Sequence, residues 1–251
     1  MAKIARFDIS GSERYGVVEE NTIRQIDGSI FGNYQLTETV YSLDKAKLLA
    51  PCLPPKILAV GLNYRSHLGN RPAPESPIFF LKATTALTGP ESPIVIPKGV
   101  SHVDAEGELV VVIKQKTKGV SEADALSCVL GYTCGNDVSA REFQRGDGQW
   151  MRAKSIDTFS PLGPWIVDRL DPANIELETR INGQVVQHSN TSDLIFNVPF
   201  LISYISKYIT LHPGDLIYTG TPGTTGTLKD GDKVEITLGG IGTLTNPVKE
   251  A

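Results

Sequence analysis

Five consecutive apolar residues, Leu109-Val110-Val111-Val112-Ile113, constrain this chain more than any other stretch. A run this apolar and this rich in β-branched residues, with no polar alternation, predicts a buried strand. Glu106 and Glu108 stand at its entrance, and their spacing of two puts both on one face of a strand. Two adjacent carboxylates repel, and removing them from water is costly unless a cation lies between them. A divalent metal is the simplest remedy. The alternative is that the strand has not yet entered the core and both Glu are solvated, which is the better reading of an isolated E-x-E.

The 251 residues suffice for one large domain, or a small one joined to a larger one. A net charge of −4 with no long basic run argues against nucleic-acid or anionic-membrane partners. No apolar stretch approaches a membrane span, and Met1-Ala2-Lys3-Ile4-Ala5-Arg6 has no signal-like apolar core. Cys52, Cys128 and Cys134 lack C-x-x-C spacing, so a disulfide framework is not expected and a reduced, cytoplasmic setting is.

Short β-type runs at Phe7-Asp8-Ile9, residues 15–18 and residues 22–26 predict a small meander. Pro51, Pro54 and Pro55 mark a boundary, giving a small N-terminal β subdomain over 1–50 and a second unit over 51–251. Lys56–Val60 is a second buried strand, followed by Gly61-Leu62-Asn63-Tyr64-Arg65-Ser66-His67. His67 has the reference pKa of a general base, though by itself it equally fits a surface position. Residues 70–77 carry three prolines and read as a loop, a candidate lid. Lys82 closes another apolar strand, either reaching a polar site or snorkelling to solvent. Ser121-Glu122-Ala123-Asp124 predicts a helix start running to about Leu130, and residues 131–138 return as a strand ending near Asp137. Arg141 and Gln144 share a face if helical, aimed at a substrate oxygen or at water.

Glu176 and Glu178 repeat the E-x-E spacing, but they alternate with apolar residues before an Asn182-Gly183 hairpin turn and read as solvated. Asn197 predicts a helix cap, with Phe200, Leu201, Tyr204, Ile205 and Tyr208 as its packing face. Thr219-Gly220-Thr221-Pro222-Gly223 is a turn suited to an anionic oxygen. Nucleotide-binding glycine motifs and a G-x-S-x-G elbow are absent. Glu106, Glu108 and Asp137 together offer three hard oxygen ligands without nearby Cys or His, a set for Mg²⁺, Mn²⁺ or Ca²⁺ rather than structural zinc.

In these blocks the sequence closely resembles the fumarylacetoacetate hydrolase family: Gly61-Leu62-Asn63-Tyr64 with His67, Phe80-Leu81-Lys82, Glu106-Gly107-Glu108-Leu109, Gly131-Tyr132 through Arg141 and Gln144, Ala153-Lys154-Ser155, and Thr219-Gly220-Thr221-Pro222. The resemblance runs from about Lys56 to Val248. It implies a mainly β fold with α insertions, a mixed β-sandwich roll, usually dimeric, with a divalent metal at its mouth. It further implies that Glu106, Glu108 and Asp137 ligate the metal, that His67, Lys154 and Gln144 are catalytic, and that Arg141, Thr221 and Lys82 contact a small dioxo-acid substrate. The implied reaction is C–C hydrolysis of an acylpyruvate-like β-diketo acid through a metal-stabilised enolate. Oxaloacetate-type decarboxylation and 2-hydroxyhepta-2,4-diene-1,7-dioate-type isomerisation are alternatives in the same site. One departure bears on the reaction. Many hydrolysing members carry Glu three residues after the histidine, where this chain has Asn70. Glu75 of the loop substitutes, or His67 works without a carboxylate, or the reaction is not hydrolysis.

Overall fold

The computed structural model describes Met1–Ala251 and is mainly β, with 46% of residues in strands and 16% in helices. Gly107–Ile113 is an inner strand of a twelve-stranded sheet, hydrogen-bonded to Val129–Asn136 on one side and Leu216–Tyr218 on the other. All seven of its residues are buried. Leu109, Val111 and Ile113 pack on one face, against the five-stranded sheet (Leu177, Ile236, Leu238) and the helix Val198–Tyr208. Val110 and Val112 pack on the other, with Ile57, Ala59, Leu162 and Ile166. Cover on both faces explains the absence of polar alternation. Most pairings are antiparallel, but Leu216–Tyr218 runs parallel to Ile57–Gly61 and Gly242–Glu250 runs parallel to Ile94–Ile96, so the sheets are mixed.

The meander forms as Lys3–Ile9, Ser12–Glu19 and Thr22–Gly28, extended by Tyr34–Ser42. Its first strand pairs with Ser160–Val167, so these strands continue the large sheet. The turn residues Asn182 (φ +51°) and Gly183 (φ +79°) both take positive φ, as a type I′ hairpin requires.

Two helix expectations need correction. The helix after Ser121 is only one turn, Glu122–Ala125, followed by a 3₁₀ turn at Leu126–Cys128. Val129 has already joined the sheet, opposite Ile113, so the ladder ends the helix. Asn197 does cap Val198–Tyr208, accepting the Phe200 N–H at 2.9 Å. Its buried face, however, is Val198, Leu201, Ile202 and Ile205. Phe200, Tyr204 and Tyr208 instead form an aromatic ladder on the less buried side, which Phe79 joins at Tyr204. No helix is long and apolar enough to cross a membrane.

Candidate active site

Two segments cross between sheets side by side, and the crossing builds the site. Glu106 falls in the break between Val103–Ala105, in the three-stranded sheet, and Gly107–Ile113, in the large one. Asp137 falls in the matching break between Val129–Asn136 and Ser139–Ala140. The breaks are stitched together: Glu106 N–H donates to Asn136 Oδ1 and Asp137 N–H donates to the Glu106 carbonyl, both at 2.9 Å. Glu106, Glu108 and Asp137 are all buried, with ligand oxygens within 4.8 Å of one another. The solvated reading of Glu106 and Glu108 is therefore excluded.

Cations surround two of the three. Lys154 Nζ bridges Glu106 Oε2 (2.6 Å) and Asp137 Oδ2 (2.7 Å). Arg141 Nη2 donates to Glu106 Oε1 at 2.6 Å. Lys82 pairs with the other Asp137 oxygen. Glu108 has no ion-pair partner; Gly220 N–H donates to its Oε2 at 2.7 Å. Gly220 is at φ +102°, and a Cβ there would lie 2.9 Å from Asn63 Cβ, so glycine permits this approach. Asn63 pins the turn by donating to the Thr219 carbonyl at 2.8 Å.

The electrostatics follow. Burial opposes the charge on Glu106, but Lys154 and Arg141 outweigh it and hold the carboxyl down at about 2. Burial, then the charges of Asp137 and Glu106, push Glu108 well above the usual carboxylate range. Burial also opposes the charge on Lys154, yet Asp137 and Glu106 keep it above the ordinary lysine value. For Lys82 burial prevails over its pairing with Asp137, and the pKa falls. With Asp104 included, four carboxylates face three cationic side chains, a formal excess of one carboxylate. Three hard oxygen donors, one of them without a cation, fit a hard divalent metal ion.

Eight of the nine side chains singled out from the sequence line one cavity of about 40 Å³: His67, Glu106, Glu108, Asp137, Arg141, Gln144, Lys154 and Thr221. Val60, Gly61, Leu62 and Trp150 complete the lining. His67 Nδ1 bonds the Gly223 carbonyl, which can only accept, so a proton sits on Nδ1, and in the neutral ring Nε2 carries the lone pair. The partner of His67 is thus a carbonyl, not a carboxylate. Asn70 and Glu75 are both exposed and do not line the cavity.

One expectation changes, and two further side chains have partners inside the protein. Lys82 does not line the cavity; it lies behind Asp137 and also donates to the Phe159 carbonyl at 2.8 Å, because a carboxylate buried this deeply needs a cation beneath it. Arg141 is held inside the protein, by Asp104 (2.7 Å), Gln144 (2.7 Å), Glu106 and Thr225 (3.0 Å). These bonds take four of its five N–H hydrogens and clamp the site, and one hydrogen on Nη1 stays free at the cavity wall. The Thr221 hydroxyl donates its one hydrogen to the Gly107 carbonyl (2.9 Å), leaving none for a ligand.

Asp104, Asn63, Gln187 and Trp150 were given no role from sequence. Asp104 was findable: it continues the period-two face of Glu106 and Glu108. Asn63 lies in the Gly61-Leu62-Asn63-Tyr64 block, whereas Gln187, on an ordinary hairpin strand, carries no sequence signal.

Comparison with known proteins agrees with this geometry. Residues 56–249 match the sequence profile of the fumarylacetoacetate (FAA) hydrolase C-terminal domain, and residues 2–51 match an N-terminal profile named Rv2993c-like. Protein Rv2993c of Mycobacterium tuberculosis is 50% identical, over 93% of this chain and 90% of its own. The mitochondrial oxaloacetate tautomerase fahd2 of Xenopus laevis is 42% identical, over 83% of this chain and 70% of its own. Among solved structures, a 2-hydroxyhepta-2,4-diene-1,7-dioate isomerase from Mycobacterium marinum superposes with a TM-score of 0.94 at 45% identity, covering 100% of this chain and 99% of that one. A maleylpyruvate hydrolase from Sphingobium sp. SYK-6, in complex with manganese(II) and pyruvate, gives 0.84 at 30%, covering 99% of each. A profile match across most of the chain, relatives well above 30% identity and a shared fold throughout lead to one conclusion: the chain is an enzyme of the fumarylacetoacetate hydrolase family.

Proposed function

We propose that this enzyme moves a proton at the carbon beside the keto group of a short 2-oxo dicarboxylic acid, acting as a divalent-metal-dependent tautomerase or isomerase. One observation carries the reading. His67, held as the Nδ1–H tautomer by a backbone carbonyl, lines the same small cavity as the three carboxylates and Lys154. A neutral imidazole with a free Nε2 suits the removal and return of one proton near pH 7.

The other side chains divide the remaining work. Glu106, Glu108 and Asp137 would hold Mg²⁺, Mn²⁺ or Ca²⁺, which supplies Lewis-acid polarisation of the 2-oxo-acid oxygens. Gln144 has its Oε1 fixed by Arg141, so its amide N–H groups are left to donate to a substrate oxygen. Lys154 uses two hydrogens on Glu106 and Asp137 and keeps one for the developing enolate oxygen. His67 Nε2 takes the proton from carbon and returns it to oxygen or to the conjugated position. The relatives fit: one is named a tautomerase and one an isomerase.

C–C hydrolysis is the second reading, favoured by the manganese-containing maleylpyruvate hydrolase. In that case Nε2 would take the proton of a water, without the carboxylate partner that Asn70 fails to provide. The homodimer belongs to the proposal as well. Exposed Ile78, Leu81 and Met151 offer an apolar face for a second copy, and a monomer in analytical ultracentrifugation would remove this part.

The test is ketonisation of enol-oxaloacetate by the Mg²⁺-loaded protein. His67→Gln should lower the rate about 10²–10⁴-fold, the usual contribution of a positioned acid–base group. Unchanged turnover would remove the proposal.

A further inference from the structure

We infer that Gln187 is a positioning residue, which sets the tautomer of His67 through the turn at residues 221–223. The inference rests on the proton-transfer role proposed for His67, and adds a residue from a different sheet to the machinery. Gln187 lies on Gln184–Asn190, a strand of the five-stranded sheet, and is only 4% exposed.

Both ends of its amide are engaged at the site. Oε1 accepts from Gly107 N–H at 3.0 Å, and Nε2 donates to Thr221 Oγ1 at 2.9 Å and to the Pro222 carbonyl at 2.7 Å. Thr221 Oγ1 in turn donates to the Gly107 carbonyl at 2.9 Å. The amide and the hydroxyl thus close a ring on both backbone groups of the residue between Glu106 and Glu108. One residue beyond Pro222, the Gly223 carbonyl accepts the His67 Nδ1–H. Gly223 is at φ +57°, and the carbonyl just before its own, that of Pro222, is held by Gln187 Nε2. The brace is the Gln187–Pro222 bond. The same amide therefore ties the carboxylate side of the cavity to the histidine side. The close approach also depends on Gly107, where a Cβ would come within 3.4 Å of Gln187 Oε1.

Gln187→Met keeps size and burial and removes every polar bond. Gln187→Glu keeps the acceptor for Gly107 N–H and removes the donors to Thr221 and Pro222. The decisive readout is ¹⁵N NMR of the imidazole nitrogens, which reports the tautomer without any turnover. The chain has four histidines, so the His67 signals are assigned by their loss in His67→Gln. Wild type should show His67 protonated on Nδ1. Both Gln187 variants should move that proton toward Nε2 or to a mixture, and should lower kcat about 10–100-fold, as loss of an orienting outer partner does. A variant that only melts earlier, with unchanged His67 signals and kcat, overturns the inference. If Gln187→Glu does not fold, Gln187→Met decides alone. Full activity of His67→Gln would refute the proton-transfer role, while the nitrogen spectra would still decide whether Gln187 sets the tautomer.

Discussion

Lys154→Met tests the charge arrangement most sharply. Lys154 Nζ is the one cation shared by Glu106 and Asp137, and its side chain is 3% exposed. Removing it leaves Glu106 with Arg141 alone and Asp137 with Lys82 alone, and raises the formal excess of carboxylates over cationic side chains from one to two. Breaking a buried ion pair from one side costs about 3–5 kcal/mol. In a chain this long each kcal/mol moves Tm by about 2–4 °C, so the variant should melt about 6–20 °C lower in a chelator at neutral pH. Saturating Mn²⁺ should raise Tm more in the variant than in wild type, because the ion then meets a more negative cluster. The gap should also close in acid. Glu106 has a depressed folded-state pKa, so its stabilisation is complete above its ordinary value of 4.5 and is lost as pH falls through about 2. Differential scanning fluorimetry across pH, with and without Mn²⁺, reads all three effects. A variant within about 2 °C of wild type in chelator, less than ~1 kcal/mol, refutes the reasoning.

Glu108 predicts the opposite pH trend. Its folded-state pKa is raised, so its contribution favours folding below 4.5 and is lost as pH rises above that value. The Tm gain on adding Mn²⁺ should therefore grow with pH; a gain independent of pH would contradict the assignment of Glu108 as a ligand. Gly107→Ala would place a Cβ 2.2 Å from Thr179 Oγ1, an overpacking cost of about 1–3 kcal/mol. Thr179 Oγ1 is buried without a partner, so Thr179→Ala should cost little alone and should rescue Gly107→Ala. Chemical denaturation of the four proteins in that cycle measures the coupling, and simple additivity would show that the clash is not the cause.

What could be read from the sequence divides along sequence distance. The apolar run, the hairpin at Asn182-Gly183 and the Asn197 cap are local statements of period, φ and capping, and all three appear in the structure. Glu106 and Glu108 stand out because they enter an apolar run without polar alternation, and Asp137, at the end of the next long strand, completes a hard-oxygen set that the family resemblance also implies. The partners of Lys82, Arg141 and Thr221 are not readable from the sequence, because residue type shows that a cation or hydroxyl is present but not what it pairs with. Arg141 meets Asp104 across 37 residues, Lys82 meets Asp137 across 55, and Thr221 meets Gly107 across 114. Gln187 is the extreme case, a polar residue on a half-exposed strand whose partners all lie on other strands and turns. The helix after Ser121 failed for the same reason: its cap forms, but pairing of Val129 with Ile113 outweighs the local propensity to continue.

The most direct measurement gives the Mg²⁺-loaded enzyme acetylpyruvate, fumarylpyruvate, oxaloacetate and a 2-hydroxy-diene dioate in D₂O, and follows each by ¹H NMR. Rapid exchange or migration of the proton beside the keto group is expected in at least one dicarboxylic acid, with the carbon skeleton intact, and chelation should abolish it. Cleaved carbon skeletons appearing faster than exchange, or full exchange after exhaustive chelation, would contradict it.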